Sequence, residues 1–197
     1  MHQLADIEIL LVQQKKEWTE ILTGIESKNR YSITDPAGIQ FGMAAEESSF
    51  LGRFFLKTLR SFTVHILSPE TDPILRLEKA FSWYFHEIQV FSSTNEFLGT
   101  VRREFSVFSR NFTVLDTRHD PLFTIQGPLF RPWTFRIEKN NMEVGLIAKK
   151  WSGMGKEMFT DADNFNIAFP PGIDNAQKSI LLGALFLIDM IYFERSN

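Results

Sequence analysis

The stretch GRFFLKTLR, residues 52–60, sets Arg53, Lys57 and Arg60 around Phe54, Phe55 and Leu56. Cations attract anionic headgroups, and aromatic rings settle at the boundary between headgroup and acyl chain. The mixture therefore suits docking on an anionic phospholipid surface. It recurs at Trp83, at Arg131 with Trp133, and around Lys149, Lys150 and Lys156. Each Lys or Arg near such a surface contributes about 1 kcal/mol, so a handful outweighs the formal net charge of −3. The same bases would also serve a nucleic-acid partner, a second and weaker expectation.

Other chemistry finds less support. His2, His65, His86 and His119 are scattered without metal-ligand spacing. Gly153-Met154-Gly155-Lys156-Glu157 lacks the remaining phosphate-loop spacing and the Ser or Thr after lysine. With no cysteine in 197 residues, a disulfide framework, a thiolate zinc site, a cysteine nucleophile and S-acylation have no donor atom. Covalent catalysis is not expected. The opening MHQLADIEILLVQQKKEW carries acids within its apolar stretch and does not read as a signal peptide. A cytoplasmic, peripherally membrane-associated protein is expected.

These residues need a scaffold, and the middle of the chain repeats one. A short alternating strand leads into a turn rich in Asp, Pro, Ser and Asn, then into a second strand. Examples are FTVHIL-SPETDP-ILRLE, EIQVF-SSTNEF-LGTVRRE and NFTVL-DTRHDP-LFTIQG. With flanking strands near Ile7–Gln13 and Asn164–Phe169, about twelve strands form an antiparallel meander. No linker divides it, so residues 1–197 are expected as one domain. Alternation puts Arg76, Glu78, Glu87, Gln89, Arg136 and Glu138 on one face and apolar residues on the other. If the strands close, the outside is polar and the inside must be filled. A membrane barrel needs the reverse.

The closing stretch DNAQKSILLGALFLIDMIYFE supplies the filler. Asp174 suits an N-cap, with Gln177 three residues on to complete a capping box. From Ile180 to Phe193 only Gly183 and Asp189 interrupt the apolar run. Fourteen such residues span about 21 Å, short of a hydrocarbon core of about 30 Å, and Asp189 would cost a few kcal/mol within lipid. A helix buried in the barrel is expected in place of a transmembrane span.

The two ends of such a meander differ. The hairpin tips, Thr34–Ile39, Ser68–Pro73, Ser92–Phe97, Asp116–Pro121 and Glu138–Glu143, hold eight acids and two bases. The connections, Ser48–Ser61, Lys79–His86, Arg102–Arg110, Gly127–Trp133 and Lys149–Thr160, hold eleven bases and two acids. The connections also concentrate Phe50, Phe54, Phe55, Trp83, Tyr84, Phe85, Phe105, Phe108, Phe130, Trp133 and Trp151. Two arrangements fit: rings that plug the barrel mouth, or rings that face outward.

TGIESKNRYSITDPAGIQFGMAAEE, VGLIAKKWSGMGKEMFTDADNFNIAFPPGID and LLGALFLIDMIYFE resemble, in order, three signature stretches of the phospholipid scramblase family. The resemblance implies a closed twelve-stranded antiparallel barrel of the tubby-like kind around a central C-terminal helix. It further implies calcium-dependent movement of phospholipid between leaflets, or binding of a phosphoinositide without such movement, and in some members nuclear import and DNA binding. Lys149-Lys150-Trp151 overlaps the family's import stretch. Where members carry acylated cysteine clusters, this chain has residues 49–56, SFLGRFFL, and 81–85, FSWYF. Aromatic insertion is the physical substitute.

The resemblance also carries a proposed calcium loop onto Asp161–Gly172, with Asp161 and Asp163 at its first and third positions. A calcium loop wants an acid at position twelve and glycine at six, where this chain has Gly172 and Asn166. Phe165, Ile167 and Phe169 alternate as a buried strand would. Any calcium site here is expected to be weak.

Overall fold

The computed structural model describes residues 4, 6–15, 27–48, 61–84, 86–149 and 164–193. Twelve strands form a closed barrel in which each neighbouring pair is antiparallel. In chain order they are β1 (Ile9–Gln14), β2 (Ser27–Thr34), β3 (Gln40–Ser48), β4 (Phe62–Leu67), β5 (Pro73–Lys79) and β6 (Glu87–Ser92). There follow β7 (Phe97–Glu104), β8 (Ser109–Leu115), β9 (Pro121–Pro128), β10 (Thr134–Lys139), β11 (Met142–Lys149) and β12 (Asn164–Ala168). A single helix, α1 (Asn175–Tyr192), fills the interior. β1 pairs with β12 and closes the ring, Leu10 opposite Ile167.

Alternation decides the two faces. Leu75 and Leu77, Ile88 and Val90, and Phe135 and Ile137 are buried, while Arg76, Gln89 and Arg136 between them face out. On the outside, ion pairs join Arg76 to Glu78 and Arg102 to Glu87.

Four hairpin tips repeat one turn. At Asp35, Ser68, Ser92 and Asp116 the carbonyl accepts from the amide three residues on, and the amide donates to the carbonyl four residues on. The same side chain then accepts from that fourth amide, as Asp116 Oδ1 does from Asp120 at 2.9 Å and Ser92 Oγ from Glu96 at 3.1 Å. The residue before last takes positive φ: Gly38, Thr71, Asn95 and His119. Each ladder shifts register beside its turn, for instance between Ile66 and Leu67. This is a type I turn closed by a bulge, the standard three-residue hairpin loop. Asp or Ser at the first position is therefore structural, because its oxygen satisfies amides the turn leaves open.

α1 starts at this tip end. Asp174 Oδ1 accepts from the Gln177 amide at 2.8 Å, and the Gln177 side chain returns to the Asp174 amide, completing the capping box. Every residue from Lys178 to Met190 is buried. The two polar ones among the long side chains are accommodated. Lys178 Nζ donates to the carbonyls of Leu4 and Ile7 at 2.8 and 2.9 Å, and Asp189 accepts from Tyr31. Each Leu or Ile so buried is worth about 1.5–3 kcal/mol, so the helix organises the core. Gly99 of β7 lets it approach: a Cβ there would lie 2.6 Å from Ile180 Cδ1. No described helix is long and apolar enough to cross a membrane.

Candidate functional site

Antiparallel closure puts the connections β5–β6, β7–β8 and β9–β10 at one end, opposite the repeated tips. Eleven large hydrophobic residues are exposed among those described, and nine lie on these three connections. Phe81, Trp83 and Tyr84 stand on the first, Phe105, Val107 and Phe108 on the second, and Leu129, Phe130 and Trp133 on the third. Phe105 is 97% and Phe108 86% exposed. The other two, Ile39 and Met142, sit at the opposite end. Between the two arrangements open to the sequence, these rings face outward.

A different set of rings closes the mouth. Tyr192 and Phe193, at the end of α1, pack with Phe112, Phe135 and Phe165 at centroid distances of 5.4–6.4 Å. Cations from the strands stack on this layer. Arg110 lies 4.5 Å from the Phe135 centroid and 5.1 Å from Tyr192, Arg103 5.5 Å from Tyr192, and Lys149 4.6 Å from Phe193. The last turn of the helix has no base of its own. Arg103, Arg110 and Lys149 supply positive charge at the negative end of its dipole, worth about 0.3–1 kcal/mol each, beside the cation–π contribution.

Arg110 does more. Its buried guanidinium donates to the carbonyls of Pro132 at 2.6 Å, Pro128 at 3.0 Å, Arg131 at 3.2 Å and Gly127 at 3.4 Å. The planar fork thus holds both ends of the third connection. Lys149 adds a backbone bond to the Trp133 carbonyl at 2.8 Å. Burial lowers the Arg110 pKa, and Tyr192 beside it offsets part of that shift. Burial also raises the Tyr192 phenol, against the pull of Arg103 and Arg110.

His86 belongs to the same end. Burial, with Lys79 and Arg103 nearby, lowers its pKa to about 4, so its imidazole is neutral at pH 7. Its backbone carbonyl accepts from the Arg103 amide at 2.8 Å.

Trp83, Arg131 and Trp133, singled out in the sequence, are exposed here together. Lys149 reaches the same end but is half-buried over Phe165 and Phe193. Arg53, Phe54, Phe55, Lys57, Arg60, Lys150, Lys156, Asp161 and Asp163 lie outside the described residues. The count of bases at this end overstated its free charge. Lys79 is 2% exposed, Arg110 is bound to carbonyls, and Arg102 pairs with Glu87 at 3.0 Å. Strand phase carried the missed signal, since Arg110 falls in step with buried Phe112 and Val114, and Lys79 with Leu75 and Leu77.

Positions 164–168 of the proposed calcium loop form β12, paired with β1 on one side and β11 on the other. Phe165 and Ile167, whose places in a calcium loop would aim oxygens at the ion, are instead committed to the ladder and the core. These five residues do not fit such a loop. Among the described residues, no three His, Asp or Glu side chains gather as a metal site.

The family model described as Scramblase matches residues 1–195. This chain belongs to the scramblase family. Its relatives include mouse phospholipid scramblase 1, 32% identical over 211 residues, with 100% of this chain aligned to 64% of the mouse protein. Human phospholipid scramblase family member 5 is 28% identical, with 100% of this chain covering 78% of that one. The chain thus spans a little under two-thirds of the mouse relative's length. Among solved structures, an X-ray structure of a protein from Arabidopsis thaliana superposes with a TM-score of 0.52 at 16% identity, covering 94% of this chain and 93% of the plant protein. That likeness concerns the fold.

Proposed function

We propose that this scramblase-family chain acts without covalent catalysis on phospholipid membranes, binding them peripherally through the aromatic end of its barrel. The observation that carries this reading is the gathering of nine exposed large hydrophobic side chains on three connections at one end. Patches of this kind mark interaction surfaces, and the relatives' names point to phospholipid as the class of partner. Arg131 is exposed among the rings, and Arg53, Lys57, Arg60, Lys150 and Lys156 are proposed to join it at the headgroups.

Binding ranks above transbilayer movement by a single copy. The outer strand faces carry Arg76, Glu78, Gln89 and Arg136, and α1 fills the interior. Neither offers a headgroup path across hydrocarbon. A nucleic-acid partner is favoured less, because Arg102, Arg103 and Arg110 at this end engage Glu87, Tyr192 and backbone carbonyls. Weak calcium binding at Asp161 and Asp163 is a separate proposal.

Co-sedimentation with vesicles, with and without phosphatidylserine and with calcium or chelator, tests this reading. Pelleting with phosphatidylserine vesicles is expected. Absence of pelleting under every condition overturns it, and binding unchanged by chelator removes the calcium proposal.

A further inference from the structure

We infer that the connection segments 80–84, 105–108 and 129–133 penetrate the bilayer interface, and that ring insertion there outweighs headgroup attraction in holding the protein down. The inference rests on the membrane-binding reading above and says how that site works.

Three observations carry it. First, the rings belong to neighbouring connections, since β5 through β10 are consecutive around the barrel. Their nine large hydrophobic side chains are 54–97% exposed and so stand out from this end of the barrel. A groove would suit a peptide, whereas a row of protruding rings suits a fluid interface that closes around each of them.

Second, none of the three segments contains an acid, and Arg131 is the single Lys or Arg within 80–84, 105–108 and 129–133. Within these segments no carboxylate has to be stripped of water on entry; exposed Glu104 at the end of β7 and Arg131 stay at headgroup level while Phe105 and Phe130 go deeper. The far end carries Glu70, Asp72, Glu96 and Asp120, which an anionic surface repels. Charge therefore fixes the orientation: tips outward, mouth toward lipid.

Third, among the described residues, three cations beside these connections are turned inward. Arg110 binds four carbonyls, Arg103 lies over Tyr192, and Lys79 is buried. They brace the connections in place of reaching for headgroups. Arg110 is the positioning residue of the third connection, holding the backbone on both sides of Leu129 and Phe130 so that insertion orders little that is not already ordered.

The native chain has no cysteine, which makes site-specific labelling direct. Phe108→Cys, Phe130→Cys and Tyr84→Cys carry an environment-sensitive fluorophore at exposed positions, and Met142→Cys reports from the opposite end. With vesicles of equal parts phosphatidylcholine and phosphatidylserine, the first three labels are expected to move to an apolar environment and escape aqueous iodide, while the Met142 label does not. Raising salt is expected to reduce their protection no more than a few-fold. Failure to pellet with vesicles overturns the membrane-binding reading and the inference together. Pelleting with the three labels still in water, protection at Met142, or loss of protection in high salt overturns the inference alone. Protection that rises with protein concentration without vesicles also overturns it, and assigns the surface to a second copy of the chain.

Discussion

Tyr31 Oη donates a 2.9 Å hydrogen bond to Asp189 Oδ2 across 158 positions of sequence. It ties β2 to the central helix and gives the acid in the apolar run a partner inside the barrel. The Tyr31 ring also meets Phe186 edge-on, with centroids 5.2 Å apart. Tyr31→Phe keeps the ring contact and removes the donor. A loss of about 1–3 kcal/mol is expected, measured by urea denaturation. Unchanged stability would mean that this bond adds nothing to seating the helix.

His86 makes stability depend on pH. The unfolded chain takes up the imidazole proton near the ordinary histidine value of about 6.5, the folded chain only at about 4. Between those values the unfolded state binds more protons, so stability is complete above about 6.5 and falls as pH drops toward about 4. Allowing for solvent screening, the effect is no more than about 2 kcal/mol. Thermal melts at neutral and mildly acidic pH should separate in the native protein and draw closer in His86→Gln. An equal separation in both would assign the dependence to other groups.

Arg110 should matter locally as well as globally. Arg110→Met leaves four carbonyls of the third connection without their donor. A loss of at least about 2 kcal/mol is expected, with amide exchange rising most at residues 129–133. Arg110→Lys should recover only part, because an ammonium does not reproduce the planar fork. Exchange unchanged in that connection would show that Arg110 does not position it.

Thr71 holds φ at 73° in a repeated turn where Gly38 is the unstrained version. A β-branched residue is disfavoured there by roughly 1–2 kcal/mol, although glycine gives back part of that through unfolded-state entropy. Thr71→Gly should therefore raise stability by about 0.5–1 kcal/mol. A decrease in the denaturation midpoint would mean that its side chain contributes more than its backbone costs.

Local pattern made much of this molecule legible. Alternation in Leu75-Arg76-Leu77 set the faces, Asp or Ser before four of the five turns marked those tips, and Asp174 with Gln177 marked the helix start. Thr71 and His119 gave no sign of positive φ, because glycine or asparagine is the usual signal. Closure through β1 and β12 joins residues more than 150 positions apart, which strand alternation alone does not encode; the family resemblance supplied it. Tyr31 as the partner of Asp189 is a distant pairing of the same kind. At the candidate site, composition gathered the aromatic residues at one end of the barrel but did not show the division of labour there. Arg110 and Lys79 looked like surface bases until strand phase turned them inward.

The central claim is that exposed rings at the barrel mouth hold this protein on phospholipid. Its most direct test is vesicle affinity of the native chain beside Phe105→Ser, Phe108→Ser and Phe130→Ser combined. All three side chains are exposed, so the denaturation midpoint should not move while affinity falls about tenfold or more, equivalent to at least about 1.4 kcal/mol. A folded triple variant that binds phosphatidylserine vesicles as tightly as the native chain would contradict the account.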